Sequence, residues 1–184
     1  MARANLSPAV VVAAAAEMAD RDGFEAVTLS ALARHFGVQT ASLYSHVRDR
    51  AALLAGVHEL AMAELSDRIA MATAGRSGRD ALVALAEAQR DYARQSPGRW
   101  TALQRGSAPS PASARLVSLT WAVLRGYHLS DDDLVHATRL LGATVNGWIA
   151  LEGNGFAHRD PSPDVSWGRA LDALDTVFHS WSST

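Results

Sequence analysis

At 184 residues and 48% hydrophobic content, the chain is long enough to bury a core as one domain, or as a small domain joined to a larger one. It has no cysteine, which excludes disulfide frameworks, thiolate metal sites and cysteine nucleophiles together. The formal net charge of -2 carries no overall basic surplus, so any affinity for nucleic acid has to come from local clustering of its 17 basic residues, all of them arginine.

Ser7-Pro8 opens a first helix, with a serine to cap free N–H groups and a proline where no N–H is needed. Val11, Ala14, Ala15 and Met18 then fall on one stripe, and Asp22-Gly23 ends the element. Thr28 caps a short second helix carrying Leu29, Leu32, Ala33 and Phe36, stopped by Gly37. The pattern predicts a third helix over about Gln39 to His46 with Leu43 and Val47 inward. A long fourth follows, capped by Asp49 and carrying Leu53, Leu54, Val57, Leu60, Ala61, Leu65 and Ile69.

Gly75 and Gly78 mark a linker, which predicts a small first domain over 1–50, a linking helix over about 49–73 and a larger second domain over 76–184. Ser77 and Asp80 have capping-box spacing ahead of a helix that runs to Ser96-Pro97-Gly98. A short apolar segment from Trp100 to Arg105 and a loop at Ala108-Pro109-Ser110-Pro111 follow, then a helix from Ala112 to Tyr127. Ser130 and Asp133 cap a long helix reaching about Glu152. Residues Gly153 to Pro163 form a loop, and a last helix runs from about Asp164 to Trp181. No strand-like alternation occurs, so the expected fold is all-α.

Two short helices around a glycine turn make a helix-turn-helix, whose second helix can enter the major groove. On that helix Gln39, Thr40, Ser42, Tyr44, Ser45 and His46 supply donors and acceptors. Gln39 suits an adenine edge, Thr40 and Ala41 a thymine methyl, and the Ser42 and Tyr44 hydroxyls a phosphate. Arg3, Arg34, Arg48 and Arg50 lie in or beside this segment, whereas Glu17, Asp20, Asp22 and Glu25 fall mostly outside it in sequence.

The run from Thr28 to Leu54, with its Gly37-Val38 turn, Leu43-Tyr44 pair, Arg48-Asp49-Arg50 step and leucine-rich continuation, resembles the TetR family signature. The resemblance covers about residues 7 to 55. It implies that Thr28, Ser30, Tyr44, His46 and Arg50 contact the DNA backbone, with Arg50 where the family often has lysine. Val145-Asn146-Gly147-Trp148-Ile149-Ala150-Leu151-Glu152-Gly153 resembles the WHG-type C-terminal domain of part of the family, with Asn146 where a histidine is commoner. The resemblance further implies a bacterial transcriptional regulator, more often a repressor, that binds double-stranded operator DNA at an inverted repeat and responds to a small-molecule effector. Homodimerisation fits the small residues Gly142, Ala143, Gly147 and Ala150 beside bulky ones on the penultimate helix.

Effector-site candidates are Tyr92, Trp100, Leu103, Gln104, Trp121, Leu124 and Asn146, although each aromatic suits a packed core better than a ligand site. The seven histidines show no HxxxH or HExxH spacing, so no metal or other cofactor is expected. With no nucleophile elbow, phosphate loop or acid-base pair, no catalysis is expected either. The absence of a long apolar stretch or a signal pattern predicts a cytoplasmic protein. The competing reading is an all-helical ligand-binding or interaction protein without DNA binding.

Overall fold

The helix boundaries follow from local chemistry. In the computed structural model, which describes residues 6–105, 109–155 and 162–181, α1 (Pro8–Asp22) starts where the Ser7 hydroxyl accepts from the Val10 N–H at 3.3 Å. A short 3-10 turn over Phe24–Ala26 leads to α2 (Leu29–Phe36), whose cap is the Thr28 hydroxyl accepting from Ala31 N–H at 3.1 Å. Gly37, at φ 66 and ψ 33, turns the chain left-handed and lets Val38 N–H return to the Ala33 carbonyl at 2.9 Å. Next come α3 (Thr40–Leu43) and α4 (Arg50–Thr73), the latter capped by Asp49, which accepts from Ala52 N–H at 2.7 Å.

The rest comprises α5 (Gly78–Gln95), α6 (Pro97–Gln104), α7 (Pro111–Leu124), α8 (Asp131–Gly153) and α9 (Pro163–Ser180). Every regular element among the described residues is helical, and none of these helices is long and apolar enough to cross a membrane. Expected loop residues Ala108 and 156–161, together with Arg3, lie outside the described residues. Two expectations are refined. The apolar segment from Trp100 is helical within α6, and the helix expected to reach Tyr127 tightens to a 3-10 turn over Arg125–Tyr127.

Two compact units result: residues 1–64 with 92–114, and residues 65–91 with 115–184. In the first, Val11, Ala15, Met18, Phe24, Val27, Leu32, Leu43, Leu53, Val57 and Ala102 share one buried cluster. Ala102 belongs to α6, so this core is not closed by the first four helices alone. Helix α6 lies on α1 so tightly that a Cβ at Gly98 would sit 2.1 Å from the Ala19 carbonyl carbon and oxygen. Polar contacts fix the approach. Arg99 N–H donates to Asp20 Oδ1 at 2.9 Å, the Arg99 guanidinium reaches Glu64 at 3.1 Å, and the Tyr92 hydroxyl donates to the same carboxylate at 2.9 Å. Burial, reinforced by the bond to Glu64, pushes the Tyr92 phenol far above its ordinary pKa.

In the second unit α8 and α9 pack together, with Leu134, Ala137, Leu141, Val145, Trp167, Leu171, Leu174 and Phe178 buried. Among the described residues of this unit, Arg90 is a buried cation. It is bonded to Glu152, lies 2.6 Å from Asp164 Oδ1 and stacks 5.1 Å from the centre of the Trp167 ring. Trp167 Nε1 in turn donates to Glu87 at 2.7 Å. His128 stands at φ 56, a left-handed conformation that costs a side-chain-bearing residue roughly 1–2 kcal/mol. Replacing His128 with glycine is expected to raise stability by up to about 1 kcal/mol, once glycine's extra unfolded-state entropy is set against the relieved strain. Chemical denaturation checks this, and a lower midpoint would mean that the His128 side chain contributes more than its backbone costs.

Candidate nucleic-acid interface

The buried cluster of the first unit decides which side chains are presented. Leu29, Leu32 and Ala33 turn inward from α2, while Leu43 and Val47 do so from the segment after Gly37. With these anchored, Gln39, Ala41, Ser42, Tyr44 and Ser45 are exposed, and Thr40 and His46 are half-buried. Tyr44, 56% exposed, is a large aromatic left on the surface, whereas Phe24 and Tyr92 of the same unit are buried. The sequence-predicted set over residues 39–46 therefore lies on one short segment, braced by α2.

That segment is shorter as a helix than its sequence predicts. Regular α-helix stops at Leu43, and both His46 N–H (2.9 Å) and Val47 N–H (3.0 Å) turn back to the Leu43 carbonyl. The Ser45 hydroxyl donates to the Ser42 carbonyl at 2.8 Å, taking up an acceptor that a continuing helix would use. Serine competition with the backbone is a tertiary-sensitive effect, and periodicity does not report it.

Thr28 and Ser30 flank the start of α2, with Ser30 exposed and the Thr28 hydroxyl serving as the cap. Arg34 and Arg48 are exposed. Arg50 spans back 23 residues to donate its Nε to the Val27 carbonyl at 2.8 Å, which places its guanidinium beside the Thr28 cap. Two acids temper this basic surface. Asp49 holds the Arg48 Nε at 2.8 Å, and Glu25 lies 3.5 Å from an Arg50 Nη. Sequence position left Glu25 outside the motif, but the 3-10 turn before α2 brings it to the motif's edge. The same carboxylate accepts from Arg105, at the end of α6, at 2.6 Å.

The effector-site candidates divide between the two units. Tyr92, Trp100, Leu103 and Gln104 belong to the first, and Trp121, Leu124 and Asn146 to the second. Tyr92 and Leu124 are fully buried, with Tyr92 committed to Glu64, whereas Gln104 is exposed. The Trp121 indole N–H donates to the Thr138 hydroxyl at 3.1 Å, while Trp100, Leu103 and Asn146 are half-buried.

Residues 11–57 match the model of the bacterial regulatory proteins of the tetR family, and residues 82–174 match a tetracyclin repressor-like C-terminal domain. The HTH-type transcriptional regulator YobS of Bacillus subtilis is 31% identical over 153 residues, covering 81% of this chain and 80% of its own. The chain belongs to the TetR family. A second relative, the HTH-type transcriptional regulator Rv0681 of Mycobacterium tuberculosis, is 30% identical over 158 residues, covering 83% of this chain and 72% of its own. Among solved structures, a TetR variant from Acinetobacter baumannii in complex with minocycline superposes with a TM-score of 0.78 at 23% identity, covering 98% of this chain and 100% of that one. Apo ActR from Streptomyces coelicolor gives 0.78 at 17% identity, with 98% of each chain covered. ActR has also been solved with (S)-DNPA, at a TM-score of 0.76 and 16% identity, covering 98% of this chain and 100% of that one. At these identities the structures share the fold. Membership of the TetR family makes the chain a DNA-binding transcriptional regulator.

Proposed function

We propose that this TetR-family regulator is a repressor that binds an inverted-repeat operator as a two-fold dimer and releases it when a small, largely apolar effector binds. One observation carries the DNA side. The polar row Gln39, Ser42, Tyr44 and Ser45 stands exposed on a rigidly backed segment, with Arg34, Arg48 and Arg50 around it. Base-edge contacts fall to Gln39, Thr40 and Ala41, and phosphate contacts to Thr28, Ser30, Ser42, Tyr44, Ser45, His46 and Arg50.

Support for the dimer comes from α8 and α9. Ala143, Gly147 and Ala150 are exposed, nothing lies within 4 Å of where a Gly147 Cβ would be, and Leu151 and Val165 leave apolar surface uncovered. Small residues facing outward in this way suit close approach of helices from a second copy. Such a dimer sets its two recognition segments about 34–36 Å apart for half-sites one turn apart. Release requires the effector to bind the incompetent arrangement more tightly than the competent one. That minocycline and (S)-DNPA occupy proteins of this fold supports an effector of comparable class. A regulator of this kind works in the bacterial cytoplasm, where its operator is.

Selection of bound fragments from a random DNA pool, followed by affinity measurements across salt concentrations, tests the proposal. Enrichment of an inverted repeat whose affinity falls with salt supports it. Failure of folded protein to enrich any sequence leaves a ligand-binding protein without DNA binding. On the enriched duplex, Arg50→Ala is expected to weaken binding to matched and scrambled sequences alike and to lower the salt slope by about one unit. An unchanged slope removes Arg50 from the phosphate contacts.

A further inference from the structure

Glu25 is an acid that the fold brings against the basic rim of the helix-turn-helix from outside the motif, and it stands between two arginines of different origin. Arg50 opens α4 and belongs to the DNA-facing surface. Arg105 caps the C-terminal end of α6, with its backbone N–H on the Ala102 carbonyl at 3.2 Å and its guanidinium 5.7 Å from the centre of the Phe24 ring. The two guanidinium groups take different oxygens of the carboxylate: Arg105 Nη2 is 2.6 Å from Oε1, and Arg50 Nη2 is 3.5 Å from Oε2. The first is a charge-assisted hydrogen bond. The second is longer than one, so the carboxylate belongs mainly to Arg105.

We infer that Glu25 is a positioning residue for Arg50 and that Arg105 controls it: while α6 sits on the turn before α2, Arg105 engages Glu25 and leaves Arg50 charge for a phosphate. The inference rests on the reading of Arg50 as a phosphate contact and adds a regulator to it. The geometry gives the two states different electrostatics. When Arg105 is lost or drawn away, Glu25 has Arg50 as its remaining partner at the same edge. The Arg50 Nε is already tied to the Val27 carbonyl, so the guanidinium cannot swing clear of the carboxylate without breaking that bond. An Arg50 neutralised by Glu25 binds phosphate less well. Any displacement of α6 is thereby read at the DNA surface through charge, without α2 or α3 having to move.

The test is a set of substitutions in the full chain, measured on the enriched duplex and on a scrambled one across salt concentrations. Glu25→Gln is expected to tighten binding about two- to five-fold on both duplexes and to steepen the salt dependence, while Glu25→Asp stays near the parent. Arg105→Ala is expected to weaken binding by a similar factor when Glu25 is present and to have little effect in the Glu25→Gln background. Both effects should disappear in Arg50→Ala protein. Effects that persist undiminished without Arg50 overturn the proposal, as does an unchanged affinity in Glu25→Gln. Glu25 and Arg105 are largely exposed and Arg50 is 43% exposed, so melting temperatures near the parent's are expected to confirm folding. If the parent protein binds neither duplex, the DNA-binding reading falls and this one with it. If it binds and the effects simply add, the charge relay alone falls.

Discussion

Replacing Gly98 with alanine is expected to destabilise the protein by about 3 kcal/mol or more, lowering its melting temperature by roughly 6–12 °C for a chain of this length. Helix propensity alone predicts the opposite sign, since alanine at a helical position is favoured over glycine by about 1 kcal/mol. Packing overrides it. The added methyl would fall 2.1 Å from the carbonyl carbon and oxygen of Ala19 and 2.5 Å from the Asp20 nitrogen. These are backbone atoms, which cannot turn aside as a side chain would. Relief requires α6 to lift from α1, which strains the Arg99–Asp20 bond and uncovers the apolar cluster around Ala102. Thermal denaturation decides the matter. A melting temperature equal to or above the parent's would mean that the two helices are not in this contact.

The second large effect is expected at Arg90. Its side chain is 3% exposed, and Arg90→Met keeps most of the volume while removing the guanidinium from the Glu152 side chain, which is 16% exposed. Breaking a buried pair on one side costs about 3–5 kcal/mol. With Asp164 76% exposed, a loss near the lower end, about 3 kcal/mol, is expected. The double variant Arg90→Met with Glu152→Gln also removes the carboxylate that Arg90 held and should recover part of that loss. A single variant as stable as the parent would show that Glu152 does not depend on Arg90 and that Arg90 serves mainly to pack on Trp167.

The features legible in the sequence were those that local chemistry determines. Ser7, Thr28, Asp49 and Ser130 each cap the helix expected of them, because a short side chain reaching an N–H two or three residues on is a property of the segment alone. Gly37 likewise takes the left-handed turn that the helix-turn-helix spacing requires. The exposed face over residues 39–46 followed from knowing that Leu43 and Val47 would be inward.

Features set by residues far apart in the chain were not legible. Helix α6 has only eight residues and is held by α1, so its apolar stretch reads as no particular element. The Arg90 group joins positions 62 and 74 residues apart, and the Glu25–Arg105 pair joins positions 80 apart. A net charge counted along the sequence cannot reveal that an acid before the motif returns to its edge.

The interrupted make-up of the first unit bears on synthesis as well as on stability. Its core takes Ala102 from a helix that follows 27 residues belonging to the other unit. A ribosome that has released the whole helix-turn-helix has therefore not yet supplied the helix that covers α1. The nascent headpiece has to wait with Ala19 and Phe24 uncovered until α6 emerges, some seconds later at about 5–20 residues per second. A fragment cut at the glycine linker keeps that surface uncovered, and it is expected to melt below the same residues in the long chain.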